Sequence, residues 1–232
     1  MEYVKIHSLW KRQGWYFAQD KKNSADYQSG KQSFIIGDYA EPEFGNIKNW
    51  NVEEKVDGTN IRICFSRKIG QNLIPFIGGR TDAAQLSTNL LAYLTSTFTW
   101  EAFECAFPEL LIQSDFLVWI FGEGYGPKIQ ACGSNYRADP GFIGFDVKVG
   151  DWWLKREDVA KICEKFSVPM VPHIGIMTEE QVIGFVKSRP ISRCSRNPQM
   201  MEGVICRSDP LMLFRNGKPI MWKLKCKEFQ DS

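Results

Sequence analysis

The sequence predicts an α+β fold in which strands outnumber helices. Three observations carry that expectation. Short β-branched and aromatic runs recur along the chain, helical periodicity is confined to three stretches, and the two signals do not alternate as a doubly wound sheet requires. Strand runs fall at 32–36, 61–65, 117–121, 141–149, 203–207 and 220–226. The first helical pattern spans 83–98 behind a cap at Asp82, and the second spans 156–166, with Val159, Ile162, Cys163 and Phe166 on one face. A capping box at Thr178-Glu179-Glu180-Gln181 opens the third, which runs through Val186 and stops before Pro190. The stretch 19–32 is polar and reads as a loop, and Val171-Pro172-His173-Ile174 reads as a structural strand edge.

Composition narrows the classes of function. The chain has 232 residues, 44% of them hydrophobic and 24% charged, which is ordinary for a globular protein with a sizeable core. No apolar run approaches a membrane span, and the start, Met1-Glu2-Tyr3-Val4-Lys5, lacks a signal-peptide core. Seven cysteines without a Cys-x-x-Cys pair argue against a disulfide framework or zinc ribbon and for a reducing, cytoplasmic compartment. A net charge of +2 means that nucleic-acid binding requires a local basic face. With only His7 and His173 present, histidine-based catalysis is poorly supplied, whereas lysine and arginine chemistry is not.

The most informative stretch is Glu54-Lys55-Val56-Asp57-Gly58-Thr59-Asn60. In extended backbone Lys55 and Asp57 point to one side, and Gly58 permits a sharp turn or a close approach. A lysine amine beside a carboxylate is a candidate covalent nucleophile once deprotonated. Ordinary hairpin chemistry with a solvated lysine is the competing reading. Further along, Gly78-Gly79-Arg80-Thr81 offers backbone and guanidinium to an anion, and Glu123 in Phe121-Gly122-Glu123-Gly124 suits sugar hydroxyls or a metal's water. Tyr125, Lys128, Gln130, Asn135, Tyr136 and Arg137 form a polar, aromatic and basic loop able to hold a nucleic-acid backbone, or simply a solvated lid. Phe145, or alternatively Phe142, offers a flat face to a base. Glu202 opens an apolar strand with an oxygen ligand suited to a divalent cation. Lys223, Lys225 and Lys227 alternate with apolar residues and are expected to share one strand face, as an edge guard or as a phosphate clamp.

The ordered set Lys-x-Asp-Gly, Gly-Arg, Phe-Gly-Glu, Phe-x-x-Phe-Asp, Glu-Gly-Val and Lys-x-Lys-x-x-x-Phe resembles the covalent nucleotidyltransferase superfamily of ligases and capping enzymes. Within it the chain is similar to the RNA ligase 2-like, nick-sealing RNA ligases. Lys5-Ile6-His7-Ser8-Leu9 and the loop from Tyr125 to Gly133 add to the resemblance, which covers nearly the whole chain.

That resemblance implies a nucleotidyltransferase domain of antiparallel sheets flanked by helices. It also implies an ATP-dependent enzyme in which Lys55 attacks the α-phosphate, carries AMP and releases pyrophosphate. AMP then passes to a 5′-phosphate end, and a 3′-hydroxyl displaces it, with nicked duplex RNA as the expected substrate. By the same carry-over Asn60 and Arg80 contact phosphate or ribose, Glu123 the ribose, and Phe145 the adenine. Glu202 helps place Mg2+ or Mn2+, and Lys223 and Lys225 hold the α-phosphate. Glu54, Asp57 and Gly58 complete the nucleotide-binding turn, Asp57 by orientation or through the metal, and Arg62 is added because it follows Asn60 on the same strand face. Only Gln230-Asp231-Ser232 follow the last motif, so the expectation is one catalytic domain over 1–232, the first 50 residues packed on it and no OB domain, either standing alone or cut from something longer; a monomer is the default. A DNA ligase or GTP-using capping enzyme is the alternative within the superfamily, and an inactive nucleic-acid-binding module is the alternative outside it.

Overall fold

A computed structural model describes residues 1–12, 34–67 and 74–229; the loop expected at 19–32 lies outside the described residues. The strands are, in chain order, β1 (His7–Ser8), β2 (Trp10–Arg12), β3 (Phe34–Tyr39), β4 (Trp50–Lys55), β5 (Thr59–Arg67), β6 (Phe76–Gly78), β7 (Phe116–Tyr125), β8 (Gly141–Val149), β9 (Trp152–Trp153), β10 (His173–Met177), β11 (Gly203–Ser208) and β12 (Met221–Lys225). The helices are α1 (Thr88–Thr97), α2 (Trp100–Ala106), α3 (Gly133–Tyr136), α4 (Arg156–Lys165) and α5 (Glu179–Lys187). This is the mixed, strand-dominated architecture expected. No helix among the described residues is long and apolar enough to cross a membrane.

The chain folds as two compact units. The first comprises Met1–Val4, Glu54–Pro172 and Pro190–Glu202; the second comprises Lys5–Glu53, His173–Arg189 and Gly203–Ser232.

The first unit is built on an antiparallel sheet in the order β6-β5-β7-β8-β9. Side chains alternate across β5, so Ile61, Ile63 and Phe65 enter one core with Leu90, Leu94, Phe98, Phe103, Val118, Ile120, Phe142, Val159 and Ile162. Phe65 stacks on Phe103 with ring centroids 4.5 Å apart. Each such buried side chain contributes about 1.5–3 kcal/mol relative to exposure. In the β7–β8 ladder Phe121 pairs with Asp146 and Gly122 with Gly144, leaving Phe145 as the extra residue of a β-bulge.

Helix α1 starts later than its sequence pattern. Ser87 caps it, its side chain accepting from Leu90 N at 3.4 Å, while the expected cap Asp82 is engaged by Arg62 Nη2 at 2.8 Å. Helix α2, capped by Thr99, is only seven residues long, too short to announce itself by periodicity. The helix expected at 156–166 is α4.

The second unit carries a sheet in the order β1-β12-β11-β4-β10, to which β4 contributes Trp50–Glu53, and a small β2–β3 ladder. Its β11–β12 and β4–β10 pairs are antiparallel, but β1 runs parallel to β12, with His7 opposite Trp222. Trp50 and Trp222 are fully buried at 5.2 Å between centroids, and the buried Arg207 Nε donates to Glu53 Oε2 at 2.8 Å. β10, which holds His173, is an edge strand, and the Thr178–Gln181 capping box opens α5 as expected.

Candidate active site

Within the first unit, the turn at residues 54–58 is held by segments distant in sequence. Lys55, at the end of β4, donates from Nζ to Glu202 Oε2 at 2.6 Å, and the two side chains are 21% and 13% exposed. The backbone N–H of Asp57 donates to the Tyr136 hydroxyl at 3.2 Å, and Gln130 Nε2 donates to the Gly58 carbonyl at 2.9 Å. A Cβ on Gly58 would stand 2.7 Å from Glu123 Cγ and nearer still to the Gly124 carbonyl. Gly58 is therefore required for close approach of two backbones.

The β5–β7 register sets Thr59 opposite Gly124 and Asn60 opposite Glu123. Burial pushes the Glu123 carboxyl up to about 8. Lys55 and a hydrogen bond from the Gly58 backbone pull it down, while Glu202 and Asp57 push it up. Lys55, Asp57, Glu123 and Glu202 thus form one electrostatic cluster around the turn. Asn60 Oδ1 is buried without a hydrogen-bond partner among the described residues, an acceptor waiting for a donor.

Two residues expected in a nucleotide site make several contacts within the fold. Arg62 is fully buried, donating from Nε to the Gly79 carbonyl, from Nη1 to the Met1 carbonyl at 2.7 Å, and from Nη2 to Asp82. Its three nitrogens are thus engaged by Gly79, Met1 and Asp82, on the strand that also carries Asn60. Glu54 is 1% exposed and accepts from Ser192 Oγ, from Arg193 N at 2.8 Å and from Cys194 Sγ at 3.2 Å. Burial pushes the Cys194 thiol up to about 12, which keeps it protonated as a donor.

The remaining expected residues are distributed as follows. Arg80 is exposed just after β6. Phe142 is fully buried against Phe98, 5.0 Å between centroids, whereas Phe145 is half-buried at the bulge and packs beside Val56, Tyr125 and Tyr136. Lys223 and Lys225 lie on β12 in the second unit, alternating with buried Trp222 and Leu224. Lys227 does not share their strand face, because β12 ends at Lys225 and a 3-10 turn begins at Cys226.

Sequence reasoning missed Ser192, Arg193 and Cys194, which bear on the turn through tertiary contacts and belong to no local pattern. Their segment doubles back on itself: Ile191 bridges Met200, Ser192 N donates to Gln199 O at 2.9 Å, and Met201 N donates to Pro190 O at 2.8 Å. It docks on α3, with Arg196 N donating to Tyr136 O at 3.1 Å and Asn197 N to Asn135 O at 2.9 Å.

Among the described residues no three His, Cys, Asp or Glu side chains gather as a ready metal cage. Glu202 nevertheless offers a hard oxygen donor beside Lys55. A magnesium or manganese ion that takes one or two carboxylates and completes its shell with water and phosphate oxygens suits that donor set.

The fold resembles solved structures of Naegleria gruberi RNA ligase. A lysine-to-alanine variant of that enzyme with ATP and Mn superposes with a TM-score of 0.54 at 17% identity, covering 79% of this chain and 52% of that one. A lysine-to-methionine variant with AMP and Mn gives 0.53 at 18% identity, covering 82% and 54%. This chain therefore spans about half the length of the Naegleria proteins it matches. No curated protein matches it. A family model described as RNA ligase matches residues 48–225, a span that contains Lys55, Glu123 and Glu202, and the chain belongs to that RNA ligase family.

Proposed function

We propose that this chain is an ATP-dependent RNA ligase with the nucleotidyltransferase fold, and that it carries AMP on Lys55. The observation that carries the reading is the placement of Lys55 Nζ, 2.6 Å from Glu202 and within electrostatic reach of Glu123, inside the span that matches the RNA ligase family. A half-buried lysine held by a carboxylate has a fixed direction of attack, and in-line positioning supplies most of the rate in phosphoryl-type transfer.

In the first step Lys55 gives one ammonium proton to solvent, and the lone pair of the neutral Nζ bonds to the α-phosphorus of ATP. The P–O bond to pyrophosphate breaks, pyrophosphate leaves with the electron pair, and the nitrogen passes its second proton to the Glu202 carboxylate that it contacts or to water. An oxygen of an RNA 5′-phosphate then displaces Lys55 from the AMP. A 3′-hydroxyl finally attacks that 5′-phosphate and expels AMP, leaving the phosphodiester. Glu202 is the group to hold a divalent ion, which when bound would neutralise charge on the phosphates. Phe145 is assigned to the adenine and Asn60, whose acceptor is buried and unsatisfied, to a ribose hydroxyl. Glu123, assigned to the ribose by resemblance, is well suited to donate as well as accept when protonated. Arg80 is assigned to phosphate. Asp57 orients the turn, and Lys223 and Lys225 keep the phosphate role that the resemblance gives them.

The test is incubation of the whole chain with magnesium and α-labelled nucleotide. ATP-specific labelling that is lost in Lys55→Ala, followed by joining of nicked RNA, is expected. Labelling by GTP alone points to a capping-type enzyme, labelling that survives Lys55→Ala removes the nucleophile assignment, and no labelling of the parent points to an inactive binding module.

A further inference from the structure

The active-site turn is braced by two surface segments that also carry exposed cations. Arg193 is exposed, and its own backbone N–H holds Glu54, the residue before Lys55. Arg196, three residues on and also exposed, is hydrogen-bonded through its backbone to Tyr136, whose hydroxyl holds Asp57. Lys128 is exposed in the loop whose Gln130 holds Gly58, and its φ of 63° is a left-handed conformation rarely adopted by lysine. Arg137 follows Tyr136, with its guanidinium 5.5 Å from the Tyr125 ring centroid. Arg193 thus sits on backbone that directly touches residues 54–58, while Arg196 and Lys128 sit on segments that reach the turn through Tyr136 and Gln130.

We propose that Arg193, Arg196 and Lys128 form a phosphate-binding lip that holds the RNA backbone beside Lys55. The inference rests on the RNA ligase reading and adds to it the surface that receives the substrate. A chain with a net charge of only +2 needs a local basic face to hold a polyanion, and this one adjoins the candidate nucleophile. The chemistry favours an extended strand over the nucleotide. Arginines spaced along an exposed segment match successive phosphates bidentately, each neutralising one charge and releasing its counterions. The groups assigned to ATP at the turn, Lys55 and Glu202, are by contrast half-buried. Because the brace uses the backbone of Arg193 and Arg196, truncating their side chains leaves those hydrogen bonds in place.

The test compares the whole parent chain with an Arg193→Ala/Arg196→Ala variant, using a fluorescent nicked RNA duplex without nucleotide and, separately, AMP labelling without RNA. The variant is expected to bind RNA roughly tenfold more weakly at about 0.1 M salt, with the log–log salt slope shallower by about two. AMP labelling should stay within about twofold of the parent. Arg193→Lys/Arg196→Lys, which keeps the charge, should restore most of the slope. Unchanged RNA affinity in the alanine variant, or a parent that labels but does not bind RNA, overturns the lip while leaving Lys55 chemistry intact. Parallel losses of labelling and RNA binding in the alanine variant also overturn it, since the arginines then serve the nucleotide or the fold. A parent that binds RNA but takes no AMP overturns the ligase reading instead.

Discussion

Glu123→Gln should make the protein more stable at alkaline pH and flatten its pH profile. The folded carboxyl titrates near 8, against 4.5 for the ordinary side chain, and burial is the first cause. Between those values the folded state keeps a proton that the unfolded chain has released. The contribution of Glu123 to stability is therefore largest below about pH 4.5, declines as pH rises, and levels off above about 8. The gap of 3.5 units between those two values corresponds to a ceiling of roughly 5 kcal/mol at 1.36 kcal/mol per unit. Glu123 is only half-buried, so water and Lys55 screen part of this. A loss of about 2–3 kcal/mol at an effective dielectric near 20 is the expected magnitude. Glutamine keeps the shape and hydrogen-bonding capacity but does not ionise.

Urea denaturation of parent and variant from pH 5.5 to 9, followed by tryptophan fluorescence, checks this. The difference between the two curves isolates Glu123, because every other group titrates in both. The variant should gain on the parent as pH rises from 5.5 to about 8, by about 1.5–2 kcal/mol, and hold that gain to pH 9. Parallel curves across the range would refute the reasoning and mean that the carboxylate is already solvated in the fold.

Other perturbations test the turn and its supports. Gly58→Ala drives a Cβ against Glu123 and the Gly124 carbonyl, and should cost about 1–3 kcal/mol in urea denaturation while slowing AMP labelling. Arg62→Met leaves the buried Gly79 carbonyl without its donor and should destabilise by about 1–3 kcal/mol, with RNA affinity changing only through loss of folded protein. Tyr136→Phe removes the acceptor for the Asp57 N–H, costing about 1 kcal/mol and lowering the labelling rate without altering nucleotide specificity.

Strands, and the order of the motif residues along the chain, were legible in the sequence because both are local. Alternation of Ile61, Ile63 and Phe65 announces β5, and the Thr178–Gln181 box announces α5, since each pattern is set by neighbours within a few residues. Helix α1 shows how a nearby competitor overrides such a pattern. Asp82 has the right chemistry for a cap, but a buried guanidinium claims it and the helix starts at Ser87. Arg62 shows the same limit at the site. Period-two spacing correctly separates it from the core face of Ile61 and Ile63, yet says nothing about what covers the other face, here Gly79, Met1 and Asp82.

The Lys-x-Asp-Gly turn is the sharpest case. Its residues are common in hairpins, and no property within the five positions distinguishes a nucleophile from a solvated lysine. What sets Lys55 apart from a solvated lysine is tertiary. Glu202 holds the amine across 147 positions of sequence, Tyr136 holds the Asp57 amide across 79, and Gln130 holds the Gly58 carbonyl across 72. Ser192, Arg193 and Cys194 hold Glu54 across 138 to 140. A short turn held at four of its five residues cannot relax independently, so the lysine within it is held in one direction. Supports of this kind leave no periodic trace in sequence, because each requires only one donor or acceptor at one position. The segment 190–202 supplies both the Glu54 anchors and Glu202, so shortening it should move the Lys55 amine more than any single substitution within the turn.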